Sequence, residues 1–217
     1  MGRRALRKLD AGVELARWLK SFEQLPEACT SESLFGRRAP LEIELGSGKG
    51  LFLASAAAAN PDSDYLGLEV ARKYAEFAAA RLAKRQLTNA CIVHGDGLRV
   101  FRERVPAGSL AAVHVYFPDP WWKARHRKRR VMNAAFLADV QRTLEPGGRL
   151  HFWTDVEEYF HSSLEVIAAA TSLHGPLPVS EGQPEHDLDY RTHFERRMRQ
   201  NGLPVYRSEF IKPVSGQ

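Results

Sequence analysis

A chain of 217 residues, 44% hydrophobic and 26% charged, has the composition of an ordinary globular domain and can bury roughly 70% of the surface its unfolded form exposes. No apolar stretch approaches ~18 residues, which excludes a membrane-spanning helix, and two cysteines without partner spacing exclude a disulfide framework or a cysteine zinc set. The net charge of +5 is concentrated: six of the 31 basic residues fall within 123–130 and four more are Arg3, Arg4, Arg7 and Lys8, which leaves the remainder net acidic, as expected of a surface that meets a polyanion.

In chain order, Val13, Leu15, Ala16, Trp18 and Leu19 predict a short amphipathic helix within an N-terminal arm, residues 1–39. Residues 40–217 read as one domain. LEIEL (41–45) predicts a strand ended by Gly46, and Gly50 to Ala59 an alanine-rich helix stopped by Asn60-Pro61. DYLGLEV (64–70) predicts a second strand, Ala71 to Leu87 a second helix and ACIVHGD (90–96) a third strand. LAAVHVYF (110–117) is apolar almost throughout, as a strand covered on both faces should be. Met132, Phe136, Leu137, Val140 and Leu144 share a helical face stopped by Pro146-Gly147-Gly148, and RLHFWTD (149–155) predicts a fifth strand. Val156, Tyr159, Phe160, Leu164 and Ile167 mark another helix, residues 172–189 a loop and residues 204–212 a last strand. Strands alternating with helices at this spacing imply right-handed crossovers and an α/β fold: a mostly parallel central sheet with helices on both faces.

Ligands of such folds bind beyond the carboxyl ends of the strands, so the strand ends carry the chemistry. Glu44-Leu45-Gly46-Ser47-Gly48-Lys49-Gly50 follows the first strand. A phosphate-binding P-loop is excluded, because Ile43 stands where its first glycine belongs and Gly50 replaces the hydroxyl. A dinucleotide fingerprint fits Gly46 and Gly48 but meets Leu51 at its third glycine. GxGxG preceded by an acid is the pattern of S-adenosylmethionine-dependent methyltransferases; for the loop alone, a plain strand-to-helix turn is the alternative. Glu69 closes the second strand, where an acid can take ribose hydroxyls, and Asp96 closes the third, within reach of an adenine edge. Acids suit a donor that carries a sulfonium cation and repel a pyrophosphate.

Residues 116–130 read YFPDPWWKARHRKRR. Proline fixes its own φ and steers the preceding residue from the helical region, so Asp119 between Pro118 and Pro120 is held extended at a strand end. A rigid turn whose aspartate bonds its own backbone is the alternative. Six cations without an acid, beside Trp121 and Trp122, favour contact with phosphates over a merely solvated loop, and an aromatic there can stack on a base. Thr192 and Glu195 have the spacing of a capping box. His94, His114, His151 and His161 have no ligand spacing, and no metal is expected.

ELGSGKG, GLEV, YFPDPWWKARHRKRR, FWTD and YRTHFERR, in that order, resemble the tRNA (guanine-N7-)-methyltransferase family over roughly residues 40–212. The resemblance implies a Rossmann-like class I methyltransferase fold and transfer of a methyl group from S-adenosylmethionine to N7 of a variable-loop guanine, guanine 46, of tRNA. It implies that Glu44, Gly46, Gly48, Glu69, Asp96 and Asp119 line the cofactor site, Asp119 being the catalytic residue. Lys123, Asp155, Thr192, His193, Phe194 and Glu195 would hold the target nucleotide. Arg125, His126, Arg127, Lys128, Arg129 and Arg130 would contact RNA. Trp122 and Ala124 depart from the family pattern, which has proline and a basic residue there in many members. A methyltransferase for another acceptor and a non-catalytic RNA-binding protein on the same fold are the competing readings. The expected setting is cytoplasmic, with tRNA as partner and the chain a monomer or homodimer.

Overall fold

The computed structural model describes residues 14–179 and 192–214; Arg3, Arg4, Arg7 and Lys8 and most of the 172–189 loop lie outside them. In chain order the elements are β1 (Leu19–Ser21), α1 (Ser31–Phe35), β2 (Leu41–Leu45), α2 (Leu51–Ala59), β3 (Asp64–Glu69), α3 (Arg72–Lys84), β4 (Ala90–His94) and α4 (Gly97–Arg104). Then follow β5 (Leu110–Tyr116), α5 (Ala134–Thr143), β6 (Leu144–Thr154), α6 (Glu157–Ala170), β7 (His174–Leu177), α7 (His193–Gln200) and β8 (Tyr206–Ile211). Short 3-10 turns lie at Phe22–Gln24 and Ala124–Arg129.

The strands form one sheet in the order β1-β4-β3-β2-β5-β6-β8-β7, parallel from β1 to β6 and antiparallel where β8 meets β6 and β7. Strand side chains alternate between the two faces. Leu41, Ile43, Leu66, Leu68, Val113 and Val115 pack against Phe101 of α4, Leu137 and Val140 of α5 and Ile167 of α6. Tyr65, Ala90 and Ile92 face the other way, against the alanines of α2 and α3. Small side chains let those helices sit close: a Cβ at Gly67 would lie 2.3 Å from Leu53 and 2.6 Å from the Ser47 hydroxyl. The expected α/β architecture is thus present, helices covering both faces.

Several elements differ from expectation. No helix forms over Leu15–Leu19; β1 instead lies parallel to β4, the Ile92 amide donating to the Trp18 carbonyl at 2.8 Å and the Trp18 indole to the Leu87 carbonyl at 2.6 Å. The i, i+3, i+4 spacing of Leu15, Trp18 and Leu19 serves to pack them on α3 and β4. This part of the arm is tied into the body: Phe22, Leu25 and Cys29 are buried in the core, and Arg37 pairs with the fully buried Asp64 at 2.7 Å. Helix α4, not foreseen, follows β4 directly. Leu144, expected on a helix face, begins β6 and pairs with Leu110.

Candidate functional site

From β2 the chain winds outward through β3 to β4, then returns to place β5 on the other side of β2. Ligands of open α/β sheets bind in the crevice at such a reversal, beyond the strand carboxyl ends. Here that crevice lies between the loop after β2 and the loop after β5.

The first loop is built by its glycines. Gly46 and Gly48 adopt φ of 82° and 52°, conformations that a side chain would strain. Gly46 and Ser47 donate their amides to the Leu68 carbonyl at 2.8 and 3.1 Å, and Gly48 donates to a Glu69 carboxylate oxygen at 2.7 Å. The second Glu69 oxygen accepts from the Ala71 amide at 2.8 Å. Glu69 therefore braces the loop from beneath. Glu44 is buried, and among the described residues its Oε2 has no hydrogen-bond partner. Burial pushes its pKa up to about 8; Ser47 opposes this and the nearby Glu69 adds to it. A buried acceptor without a donor is costly unless a ligand supplies one.

Glu44, Gly46, Gly48, Phe52, Tyr116 and Phe194 are among the residues lining a cavity of about 230 Å³, with Lys49, Phe117 and Thr192 at its walls. The cavity thus joins the glycine loop to α7, which the sequence separates by more than a hundred residues. Glu69, Asp96 and Asp119 are not among its lining residues. Asp96 is exposed, and its carboxylate caps α4 by accepting from the Leu98 and Arg99 amides at 3.0 and 3.4 Å. Val70, next to Glu69, leaves an apolar side chain 73% exposed at the strand end. Composition and spacing did not single out Phe52, Tyr116 or Val70; Phe52 lies in the first turn of α2 just after the glycine loop, and Tyr116 and Val70 stand at strand ends.

The loop after β5 carries Asp119, exposed between its two prolines. Phe117 and Trp121 bracket it at φ of 50° and 45°. Bulky residues in that region cost about 1–3 kcal/mol each and persist where the surroundings fix them. The Phe117 amide donates to the Trp153 carbonyl at 2.8 Å. Beyond it, residues 124–129 wind into the 3-10 turn. His126 meets the Trp121 ring edge-on at 5.8 Å and the Arg129 guanidinium lies 5.0 Å from its centre, so Trp121 is packed into the turn. Trp122 is 67% exposed, and Lys123, Arg125, Arg127, Lys128 and Arg129 are exposed with it. Arg130 corrects the expectation of a cation that contacts RNA. It is buried, and its guanidinium is committed to Pro120, Glu158 and Ser162 within the protein.

Asp155 follows β6 and is half-buried; burial raises its pKa, against an opposing effect of Arg197. Thr192 caps α7, its hydroxyl accepting from the Glu195 amide at 3.0 Å, the first half of the capping box that the spacing predicted. His193 opens that helix. Phe194 packs its ring 5.0 Å from Phe117, which closes the cavity against the Asp119 loop. Glu195 is buried, its carboxylate 3.4 Å from Arg207 and 3.6 Å from Arg199, so it anchors α7 to β8. Among the described residues no group of three or more His, Cys, Asp or Glu is arranged to hold a metal, and no helix is long and apolar enough to cross a membrane.

Comparisons with known proteins agree with this geometry. The family model described as "Putative methyltransferase" matches residues 38–208. A tRNA (guanine-N(7)-)-methyltransferase of Rhodopirellula baltica is 52% identical over 213 residues, covering 95% of this chain and 79% of the relative. One of the same name from Dechloromonas aromatica is 42% identical, covering 83% and 72%. Among solved structures, the 16S rRNA methyltransferase KamB superimposes with a TM-score of 0.62 at 17% identity, covering 84% of this chain and 92% of that one, a likeness of fold. The fold is that of the Rossmann-like class I methyltransferases, and the chain belongs to the tRNA (guanine-N(7)-)-methyltransferase family.

Proposed function

We propose that this chain transfers the methyl group of S-adenosylmethionine to N7 of guanine 46 in the variable loop of tRNA. The observation that carries the reading is the meeting, at one sheet reversal, of a cavity that holds the buried Glu44 with an aspartate loop and a strip of exposed cations. When bound, S-adenosylmethionine supplies a methyl group on a sulfonium sulfur, which leaves as a neutral thioether.

The chain's residues suit that donor. Glu44 Oε2 gives a cationic amino group the acceptor it needs, and Glu69 retains lone pairs for ribose hydroxyls. Val70 offers an adenine an apolar face, and Asp96 an acceptor beside it. Guanine N7 is a lone-pair acceptor without a hydrogen, so no general base is required to create the nucleophile. Positive charge develops on the base as it is methylated. A carboxylate that accepts from the guanine N1–H or amino group favours that charge, and Asp119 and Asp155 flank the crevice in that role. Lys123, Arg125, His126, Arg127, Lys128 and Arg129 take tRNA phosphates, and Trp122 an unstacked base. Thr192 and Phe194 close the donor side, with Glu195 holding their helix in place. Free, buried Cys29 and Cys91 fit a reducing, cytoplasmic setting.

The test is incubation of the full chain with methyl-labelled S-adenosylmethionine and unmodified tRNA, followed by nucleoside mass spectrometry and mapping of the label. We expect 7-methylguanosine at position 46. Label on another atom or at another position would overturn the assignment.

A further inference from the structure

We infer that Arg130 and Glu158 form a clamp that holds the Asp119 loop in its working shape, so that Arg130 is a positioning residue; this rests on the reading of Asp119 as catalytic. Arg130 closes a run of cations whose other members are exposed or half-exposed, yet its side chain is only 9% exposed. Each of its three nitrogens is used. Nε donates to the Pro120 carbonyl at 2.8 Å. One terminal nitrogen donates to Glu158 Oε1 at 3.2 Å and the Ser162 hydroxyl at 3.3 Å, and the other to Glu158 Oε2 at 2.9 Å. The guanidinium also lies 4.6 Å from the centre of the Tyr159 ring. Glu158, Tyr159 and Ser162 all belong to α6, so the contacts join that helix to the loop.

The loop needs such a tie. Pro118 and Pro120 have no N–H to offer, and the bracketing residues Phe117 and Trp121 are both in left-handed backbone. A strained shape persists when neighbours over-determine it. One end is fixed by the Phe117 amide on the Trp153 carbonyl of β6, the other by Arg130 on the Pro120 carbonyl. Pro118 and Asp119 are the residues between the two anchors. Only a guanidinium can bond one carbonyl through Nε while presenting a fork to a carboxylate. Glu158, in the first turn of α6, orients that fork, and its pKa is lowered chiefly by its hydrogen bond to Arg130.

The experiment measures turnover, tRNA affinity and its salt dependence for Glu158→Ala, Glu158→Gln, Arg130→Gln and Asp119→Ala beside the parent chain. Glu158 lies half-exposed on the helix surface, so its variants test the clamp even if Arg130→Gln fails to fold. We expect Glu158→Ala to lower kcat about tenfold or more, since a displacement of about 1 Å can cost a hundredfold in rate. Glu158→Gln, which keeps one acceptor, should fall between, and neither should weaken tRNA binding. Arg130→Gln should lower kcat further while leaving the slope of log affinity against log salt unchanged. An unchanged kcat in Glu158→Ala, with Asp119→Ala inactive, would overturn the clamp alone. A salt slope reduced by nearly one in Arg130→Gln would make Arg130 a phosphate contact and overturn it equally. Full turnover in Asp119→Ala would instead overturn the reading on which the clamp rests.

Discussion

Glu44 shows how one residue couples binding to protons. In the folded chain its carboxyl is protonated up to about pH 8, whereas an exposed glutamate ionises near 4.5. The folded state therefore holds a proton that the unfolded state has released over that window, and stability falls as pH rises through it. A cationic ligand at Oε2 favours the ionised form and drives the proton off. We predict that S-adenosylmethionine binding releases close to one proton at pH 6–7, where an α-amino group stays charged, so that affinity rises by up to about tenfold per pH unit. Calorimetry in buffers of different ionisation enthalpy measures the release. In Glu44→Gln the release should vanish and affinity become flat with pH. A parent chain that releases no proton would mean that Oε2 does not face the donor's cation.

Helices and strands were legible in the sequence where a local pattern decided them, and illegible where a distant partner did. The apolar run 110–117 was read as a doubly covered strand because both faces of β5 are packed. Leu15, Trp18 and Leu19 had a helical spacing, but the edge of β4, some seventy residues on, supplied a hydrogen-bonding partner for their backbone and made β1. Asp96 was read only as a ligand because its strand end was evident and the short helix it caps was not. Arg129 and Arg130 are neighbours of one residue type; Glu158, 28 residues further on, is what draws the second inward. The cap of α7 was readable because Thr192 and Glu195 are three residues apart. That cap has a consequence, since the same turn carries Phe194 onto Phe117 at the cavity wall. Removing an N-cap hydroxyl costs about 1 kcal/mol. Thr192→Ala should therefore weaken S-adenosylmethionine binding several-fold while tRNA affinity holds, and Thr192→Ser should restore it. Equal donor affinity in all three chains, measured by calorimetry, would separate the cap from the cavity.

At the scale of the whole molecule, the sheet reversal sets two ligands of opposite charge side by side. Acids gather at the glycine loop, cations on the adjoining 3-10 turn, and the remainder of the chain, apart from Arg3, Arg4, Arg7 and Lys8, is net acidic. Phosphates are thus drawn to this rim and repelled by the acidic body, an orienting field that acts within about 8 Å at physiological salt. Counterion release makes this countable, because each phosphate contact contributes about 0.7–0.9 to the slope of log affinity against log salt. Arg127 and Arg129 are exposed, and among the described residues Arg127 makes a 3.6 Å pair with the half-exposed Glu158. Replacing both with glutamine should flatten the slope by about 1.5 and weaken tRNA binding most at low salt. At saturating tRNA, kcat should stay within about twofold of the parent, because the Asp119 loop keeps both its anchors. An unchanged slope would place the strip in solvent, and a fallen kcat at saturation would mean that the phosphate rim also shapes the reacting loop.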